Sequence, residues 1–266
     1  MVQGMKYVIE KHLQNKFLII KTSIMNTEKQ TLRSSLGIMW TYFHDIIYIL
    51  VFILFRMLVS GNTTVYGMNN IIYLVTGMIP WFVISDVLSQ GTMSIRNNRG
   101  IIQSIDLPAV IWPTIDVCSI FMKRLFSFVM LFIIVYVAGY AKYFSSILFV
   151  YYIGCLLVLT ISMNLLISAF MAISDDFRQL FFAFVRILIY TMPILWDFSR
   201  IESTVLRILL KVNPMVYVIN GFRDAFVLGP TQSLLHASYF WLCIILMFAT
   251  GCFVQSKLNK YYADFI

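Results

Sequence analysis

The stretch YFSSILFVYYIGCLLVLTISMNLLISAFMAIS runs from Tyr143 to Ser174 without a single acidic or basic side chain. A helix needs about 20 consecutive apolar residues to cross the hydrocarbon core of a bilayer, and this run is longer than that. A buried helix of a soluble domain has no need of so long an uncharged segment. The stretch therefore predicts a membrane-spanning helix and sets the class of the whole chain.

The composition agrees with a membrane protein. Of the 266 residues, 60% are hydrophobic and 12% are charged, against about 45–50% apolar and 25% charged residues in soluble domains. We predict one all-α membrane domain over residues 1–266, with a cytoplasmic arm at 1–37, a six-helix bundle at 38–256 and a cytoplasmic tail at 257–266. The six predicted transmembrane helices lie at 38–60, 71–90, 121–141, 147–172, 178–197 and 237–256.

The formal net charge of +8 suggests contact with an anionic surface. Basic residues of membrane proteins set the orientation and contact headgroups, so membrane lipids explain the charge and no nucleic-acid partner is predicted. Lys and Arg are concentrated in the segments placed inside, which predicts a multi-pass protein of the cytoplasmic membrane with both termini in the cytoplasm. The four cysteines form no C-x-x-C pair, so neither a metal site nor a disulfide framework is indicated.

Two segments outside the predicted spans are amphipathic. In the arm, the apolar side chains recur at helical spacing, at Ile9, Leu13, Phe17, Ile20 and Ile24. They predict an interfacial helix at the inner membrane surface, with packing against another subunit as the open alternative.

A second amphipathic segment, SIRNNRGIIQSIDLP, follows the second span. Its isoleucines beside basic residues predict a compact knob that binds in a groove of a partner protein, and a solvated loop is the alternative. The knob is centred on Arg96, Asn97, Asn98, Arg99, Gly100, Ile101 and Ile102.

Several charged residues fall in or near the predicted spans, where a central charge costs at least about 2.5–3.5 kcal/mol. Arg56 can extend its side chain toward the outer surface, and Lys123 and Arg124 can sit at the inner boundary. Asp45 and Asp86 lie near the inner ends of the first and second predicted spans. Arg186 has no such escape, so we expect it to face the bundle interior, a water-filled cavity or a carboxylate, and to line a polar path.

Aromatic residues cluster around the first two spans. Such residues serve most often as interfacial belts, but aromatic faces also stack on sugar rings, and the sequence leaves both roles open. The clustered aromatic residues include Trp40, Tyr42, Phe43, Tyr48 and Trp81.

A hairpin of two short amphipathic helices is predicted before the last span. Its second arm begins with NPMVYVINGFRD from Asn213 to Asp224, and Asn213-Pro214 provides the break. The hairpin is too polar for an ordinary span, so it is predicted to be re-entrant, lying between the fifth and sixth helices.

The chain lacks the motifs of an enzyme. It has no P-loop, no H-E-x-x-H and no G-x-S-x-G, so we predict no catalytic, cofactor-binding or metal-binding residues, and ATP must be handled elsewhere. Asp175-Asp176 is the one acidic pair at an inner turn, where either residue is expected to cap the following helix.

Five segments in order resemble the permease subunit of ABC-2 type exporters for lipid-linked polysaccharides, which include O-antigen, capsule and teichoic acid. They are LRSSLGIMW (32–40), LVTGMIPW (74–81), NRGIIQSIDLP (98–108), YTMPILW (190–196) and the hairpin. The chain departs from the family pattern at Asp45, where relatives often carry proline, and at Asp175, where the turn commonly reads R-D.

The resemblance implies a homodimer that pairs with two copies of a separate ATPase subunit, which would bind ATP and Mg. It implies that the knob is the coupling helix and that the arm is a gate helix. A glycan on undecaprenyl diphosphate would pass through an aromatic tunnel, for which Trp40, Tyr42, Phe43, Tyr48 and Trp81 are the candidates. Arg186 matches no motif of the family and is added to this channel only because its charge predicts a polar path. The outer gate would comprise Asn213, Pro214, Tyr217, Phe222, Arg223 and Asp224. Two alternatives remain: an exporter of a drug or small lipid, and a membrane-bound enzyme acting on a polyprenyl carrier.

Overall fold

The protein is described by a computed structural model that covers residues 2–31, 37, 39–60, 64–104, 107–198 and 201–258. These residues are almost entirely helical, apart from a two-stranded antiparallel hairpin of β1 (Thr64–Val65) and β2 (Met68–Asn69). The helices are α1 (Val2–Gln14), α2 (Lys16–Thr31), α3 (Met39–Ser60), α4 (Asn70–Ser89), α5 (Ser94–Asn97), α6 (Arg99–Ser104), α7 (Trp112–Val137), α8 (Ser146–Ile173), α9 (Asp175–Thr191), α10 (Thr204–Lys211), α11 (Pro214–Arg223) and α12 (Leu234–Leu258). Predicted features at 32–36, Ile105, Arg200 and 259–266 lie outside the described residues.

The all-α membrane class is confirmed. Within the described residues, four helical segments are long and apolar enough to cross a membrane: Asn70–Ser104, Ala109–Val137, Ser146–Ile173 and Leu234–Leu258. The pair Thr204–Lys211 and Pro214–Phe226 is bent by 91° and gives a fifth if it counts as one span. Six spans and a re-entrant hairpin therefore stay predictions.

Local capping signals explain where the helices begin. Asn213 Oδ1 accepts a hydrogen bond from Met215 N at 2.9 Å, and Pro214 occupies the first helical position, so the predicted break is where α11 starts. The expected cap at the acidic pair is wrong. Ser174 is the cap of α9, with its Oγ 3.1 Å from Phe177 N, because a hydroxyl one residue earlier already accepts the free N–H.

Helix α11 lies in the core, packed against α4 and α8, while α10 remains on the surface. Close approach fixes this arrangement at Gly221, where a Cβ would overlap the ring of Tyr152. In lipid, apolar contacts distinguish poorly between alternative helix packings, so close packing and polar contacts decide the positions. The hairpin is thus anchored by its second arm.

The arm forms two helices rather than the one predicted. Val8 of α1 and Ile19 of α2 face inward, where α1 packs on α12 and α2 packs along α7. The predicted apolar stripe faces the other way and is exposed, at Ile9, Leu13, Phe17, Ile20 and Ile24. An outward stripe fits either a lipid surface or another subunit, so both alternatives persist.

Two helix boundaries differ from the predicted spans. Helix α7 begins at Trp112, not near residue 121, so Lys123 and Arg124 lie well inside the helix and are buried. Their expected position at the inner membrane boundary stays a prediction. Helix α9 ends at Thr191 rather than at residue 197.

Candidate functional site

The predicted knob is helical from Ser94 to Ser104, apart from a turn at Asn98, in the form of α5 and α6. Ile95 anchors it in the core, whereas Asn97, Arg99 and Ile101 are exposed. Its exposed face therefore combines basic, amide and aliphatic side chains on a segment that continues directly from α4. The remaining predicted knob residues lie on the same segment; Gly100 is exposed, and Arg96, Asn98 and Ile102 are half-buried.

An ion pair joins the knob to the start of α9. Arg96 Nη1 lies 2.6 Å from Asp175 Oδ1, and Arg178 Nη2 lies 3.0 Å from the same oxygen. The hydrogen bond from Arg96 lowers the pKa of the Asp175 carboxyl, and the charges of Arg96 and Arg178 act in the same direction. Movement of the knob is thereby linked to α9.

A buried charge cluster joins α3, α4 and α7. Arg124 donates to Asp86 Oδ2 at 2.8 Å through Nε and also pairs with Asp45. Ser127 Oγ donates to Asp45 Oδ2 at 3.0 Å, and the Arg124 guanidinium lies 5.4 Å from the centre of the Phe82 ring. One arginine therefore ties α3 to α4. Sequence reasoning missed this cluster, although three charges at similar depth in three predicted spans were a usable signal.

A polar cavity of about 390 Å³ lies beside this cluster and reaches the knob. Asn26 of α2, Asn97 and Asn98 of the knob, and Asp116 and Lys123 of α7 all line it. The cavity thus places polar side chains between the knob and the buried charges.

Helix α3 presents an aromatic face that no other described part of the chain covers. The exposed fractions are 58% for Trp40, 49% for Phe43 and 44% for Tyr48. Tyr42 points the other way, since its hydroxyl donates to Lys123 O at 3.1 Å and its ring centre lies 4.3 Å from that of Phe126. The structure therefore divides the predicted aromatic set into an outward face and an inward anchor.

Two other predicted channel residues differ in placement. Trp81 is buried in the core of the single chain and faces no open surface. Arg186 is exposed on α9, whose buried side carries Val185 and Leu188, so the bundle-interior alternative for Arg186 is wrong. Arg56, expected to extend outward, is instead buried and donates to Ile194 O at 2.9 Å.

Arg223 is the largest fully buried side chain among the described residues, and it joins segments that are far apart in the sequence. It donates to Tyr73 O at 3.3 Å, to Asn220 Oδ1 at 2.7 Å and to Pro193 O at 2.6 Å. Its guanidinium also stacks 3.7 Å from the centre of the Tyr73 ring. The second hairpin arm is thereby fixed to α4 and to the turn after α9. Gly77 makes room, because a Cβ there would lie 2.5 Å from Nη2 of the arginine.

Asp224 makes separate contacts. It accepts hydrogen bonds from Thr231 Oγ1 at 2.5 Å and from Tyr152 at 3.4 Å, which fixes the exit of the hairpin to the segment before α12. Tyr217 and Phe222 are buried, with the hydroxyl of Tyr217 3.1 Å from that of Tyr151. The predicted gate residues therefore form one packed unit instead of an open loop.

A second cavity, of about 780 Å³, lies against this unit. Its wall combines aromatic rings, amides and hydroxyls with the charged groups of Lys211, Arg223 and Asp224. Within the described residues, no three His, Cys, Asp or Glu side chains come together in a group that could hold a metal ion. The polar chemistry of the cavity wall is therefore that of hydrogen bonding and ring stacking.

Comparison with known proteins gives two matches. The family described as ABC-2 type transporter matches residues 19–227 of the chain. The O-antigen export system permease protein RfbA of Myxococcus xanthus is 22% identical over 237 residues, which cover 86% of this chain and 87% of that protein.

Proposed function

The chain belongs to the ABC-2 type transporter family, and we propose that it is the permease subunit of an ATP-driven exporter of a lipid-linked polysaccharide. The proposed substrate is a glycan such as O-antigen on undecaprenyl diphosphate, moved across the cytoplasmic membrane. Permeases of this family are membrane subunits that work with ATP-binding cassette partners, so ATP and Mg would bind to a separate subunit. The O-antigen export role of the similar permease supports the substrate class.

The observation that carries the proposal is the uncovered aromatic face of α3. Trp40, Phe43 and Tyr48 are exposed in the single chain, so their rings are available either to lipid or to a second copy. In a homodimer with this face inside, the rings would line a passage and stack on sugar rings. Arg186, exposed on α9, would add a polar group to such a passage. Trp81 would support the wall from behind.

Coupling to the ATPase is proposed at α5 and α6. The exposed Asn97, Arg99 and Ile101 suit a groove on a cytoplasmic partner, while Arg96 relays the contact to α9 through Asp175. Each ATPase subunit would bind one knob of the dimer. ATP binding then favours one of two permease states, because the ATPase dimer has different affinities for the two knob positions.

The outer gate is proposed at the end of α11. Arg223 and Asp224 hold the second hairpin arm to α4, α8 and the segment before α12. Opening requires these contacts to exchange partners or to move together as a rigid unit. Six spans with both termini in the cytoplasm complete the proposed topology, which places the knob inside and the hairpin outside.

The test is alanine replacement of Trp40 and Phe43 in a strain that lacks the native gene. We expect surface polysaccharide, measured by gel electrophoresis, to fall while the complex with the ATPase still co-purifies. The control is Leu54→Ala, because Leu54 is exposed on the same helix without an aromatic ring. Full export by the double alanine variant would contradict a passage along this face. Export of small lipids or drugs without polysaccharide would favour the alternative substrate class.

A further inference from the structure

An apolar groove lies beside the connection between α7 and α8. The segments Ala109–Val137 and Ser146–Ile173 are both long and apolar enough to cross a bilayer, so residues 138–145 join the end of one crossing to the start of the next. The groove has a volume of about 410 Å³. Its wall is formed by Phe132, Ile133, Tyr136, Ala141 and Phe144, with the buried Val135 and Phe226 behind them. Among these described wall residues, only the tyrosine has a side chain that can form hydrogen bonds.

The floor of the groove is a packed group of phenylalanine rings. The centre of the Phe132 ring lies 5.0 Å from that of Phe144 and 5.0 Å from that of Phe226. Both pairs meet edge to face, an arrangement that aromatic rings prefer. Ser145 N also donates to Ala225 O at 2.8 Å, which ties the connection to the segment after α11. The groove is therefore a built feature of the fold.

The accessible wall of the groove selects hydrocarbon. Ile133, Tyr136 and Ala141 are exposed, and Phe132 and Phe144 are half-buried, so an occupant can reach all five side chains. An empty space beside apolar atoms forfeits dispersion contacts, and water is not held there without several polar partners. Packing of another helix in a membrane uses small residues and hydrogen-bonding side chains, and Ala141 is the only small residue of this described wall. A flexible hydrocarbon chain fits the wall better than a helix does.

A lysine adjoins the groove. Lys142 directly follows Ala141 of the wall and is exposed. It is the only charged residue between Arg124 and Asp175 in the sequence, and no carboxylate of the described residues forms an ion pair with it. Its Nζ lies 4.8 Å from the centre of the Tyr143 ring. Tyrosine is enriched at the level of the lipid headgroups, so the ammonium group is available to a phosphate at that level.

We propose that the groove binds one acyl chain of an anionic phospholipid, whose phosphate pairs with Lys142. The apolar wall selects the chain and the lysine selects the charge of the headgroup, and such a lipid carries both features side by side. A zwitterionic lipid carries a positive group that offsets the attraction to the lysine. The volume of about 410 Å³ lies inside the range of about 300–1,000 Å³ found for ligand pockets. The inference goes beyond the proposed function, because it does not depend on the exported substrate.

The test is photo-cross-linking of lipid to the full chain in nanodiscs. The probes are phosphatidylglycerol and phosphatidylcholine with the same diazirine-bearing acyl chain, each at the same low mole fraction in a phosphatidylcholine bilayer. Peptide mass spectrometry measures the yield of lipid adducts on residues 132–144. A lysine near an anionic headgroup changes affinity by about fivefold, so the parent should favour phosphatidylglycerol by about that factor.

Variants of the lysine test the headgroup. Lys142→Gln should lower the ratio of the two yields to about one, because the attraction to the phosphate is removed. Lys142→Arg keeps the charge and should keep the preference. The matched control is Lys257→Gln, since Lys257 also lies beside an aromatic ring at the end of a spanning segment but does not adjoin this groove. It should leave the yields on residues 132–144 unchanged.

A second pair of variants tests the acyl chain. Ile133→Trp should fill the groove and lower the yield from both lipids, whereas Val129→Trp, one turn earlier on the exposed side of α7, should not.

Three results would overturn the inference. The first is an equal yield from the two lipids in the parent, or the parent's ratio in Lys142→Gln. The second is cross-linking between two copies of the chain at Ile133 in place of lipid adducts, which would assign the groove to a dimer contact. The third is displacement of phosphatidylglycerol by a polyprenyl phosphate at equal mole fraction, which would assign the groove to that lipid.

Discussion

Arg124 is expected to be the most sensitive charged residue of the membrane domain. Arg124→Met would leave Asp45 and Asp86 without their shared cation, and the Asp45 side chain is only 1% exposed. Removal of one partner from a buried ion pair costs about 3–5 kcal/mol, because the remaining charge is left in a medium that solvates it poorly. That loss corresponds to about two to three and a half orders of magnitude in the ratio of folded to unfolded protein.

The measurement is the melting temperature of the purified protein in detergent, followed by tryptophan fluorescence and by recovery of the monodisperse fraction after heating. Each kcal/mol shifts the melting temperature of a chain of this size by about 2–4 °C, so we expect a decrease of about 6–20 °C. The variant Arg124→Met/Asp45→Asn/Asp86→Asn should recover most of it, since no unpaired charge remains. The melting temperature of Arg124→Lys should lie between those of Arg124→Met and the parent. Lysine keeps the positive charge but lacks the forked guanidinium that donates to both carboxylates. A melting temperature of Arg124→Met equal to that of the parent would refute the reasoning.

Three further predictions concern packing and pH. Gly221→Ala should cost about 1–3 kcal/mol and lower export, because the new methyl group overlaps the Tyr152 ring; thermal unfolding measures the loss. Burial lowers the pKa of His12 from its ordinary value of 6.5. The contribution of the neutral ring to the stability of the folded arm should therefore be full above pH 6.5 and be lost as the pH falls through the lowered folded-state pKa. The rate of proteolysis of the arm at different pH values measures this loss. Arg96 lowers the pKa of Asp175, so their ion pair should persist at neutral pH and be lost only as the pH falls below the ordinary carboxyl range. The variant Arg96→Glu should weaken co-purification of the ATPase without altering thermal stability, because an exposed ion pair contributes little to the free energy of unfolding.

Each of these has a matched control. Gly154→Ala, on α8 with open space around its Cβ position, should leave stability unchanged; an equal loss there would show that the packing argument is wrong. His12→Gln should remove the acid sensitivity of the arm, and sensitivity that survives the change would assign it to another group. The exchange Arg96→Asp/Asp175→Arg should restore co-purification, whereas failure to do so would place the role of Arg96 outside the ion pair.

Local signals in the sequence were reliable where a few neighbouring residues decide the structure. The uncharged run at 143–174 forms α8, as predicted. Asn213-Pro214 forms the start of α11, because a cap and an N-terminal proline act within one turn. The knob became α5 and α6, although Met93 provides no side-chain cap at the start of α5. The acidic pair at Asp175 failed as a cap because Ser174 competes for the same N–H group, and a choice between adjacent caps depends on backbone geometry.

Charge placement could not be predicted from the same signals. Arg56 and Arg124 are both buried with partners far along the chain, 138 residues away for Ile194 and 79 for Asp45, and no pattern in the sequence indicated these partners. A hydropathy pattern indicates the free-energy cost of a charged residue in a span. It does not indicate which residue of another span will form an ion pair or hydrogen bond with it. Arg186 shows the reverse case, since its side chain is exposed and no carboxylate of the described residues forms an ion pair with it.

The sequence by itself determined the class of the protein, the spanning segment of α8 and the break of the hairpin, because hydrophobic length and capping are properties of contiguous residues. It also carried the family, which depends on the order of short motifs. Only the tertiary structure decided that Arg223 fixes the buried helix α11 to α4 and that Arg124 joins α3 to α4. These features depend on contacts between distant segments, and in a membrane such contacts are chosen by polar pairing and close packing rather than by hydrophobicity.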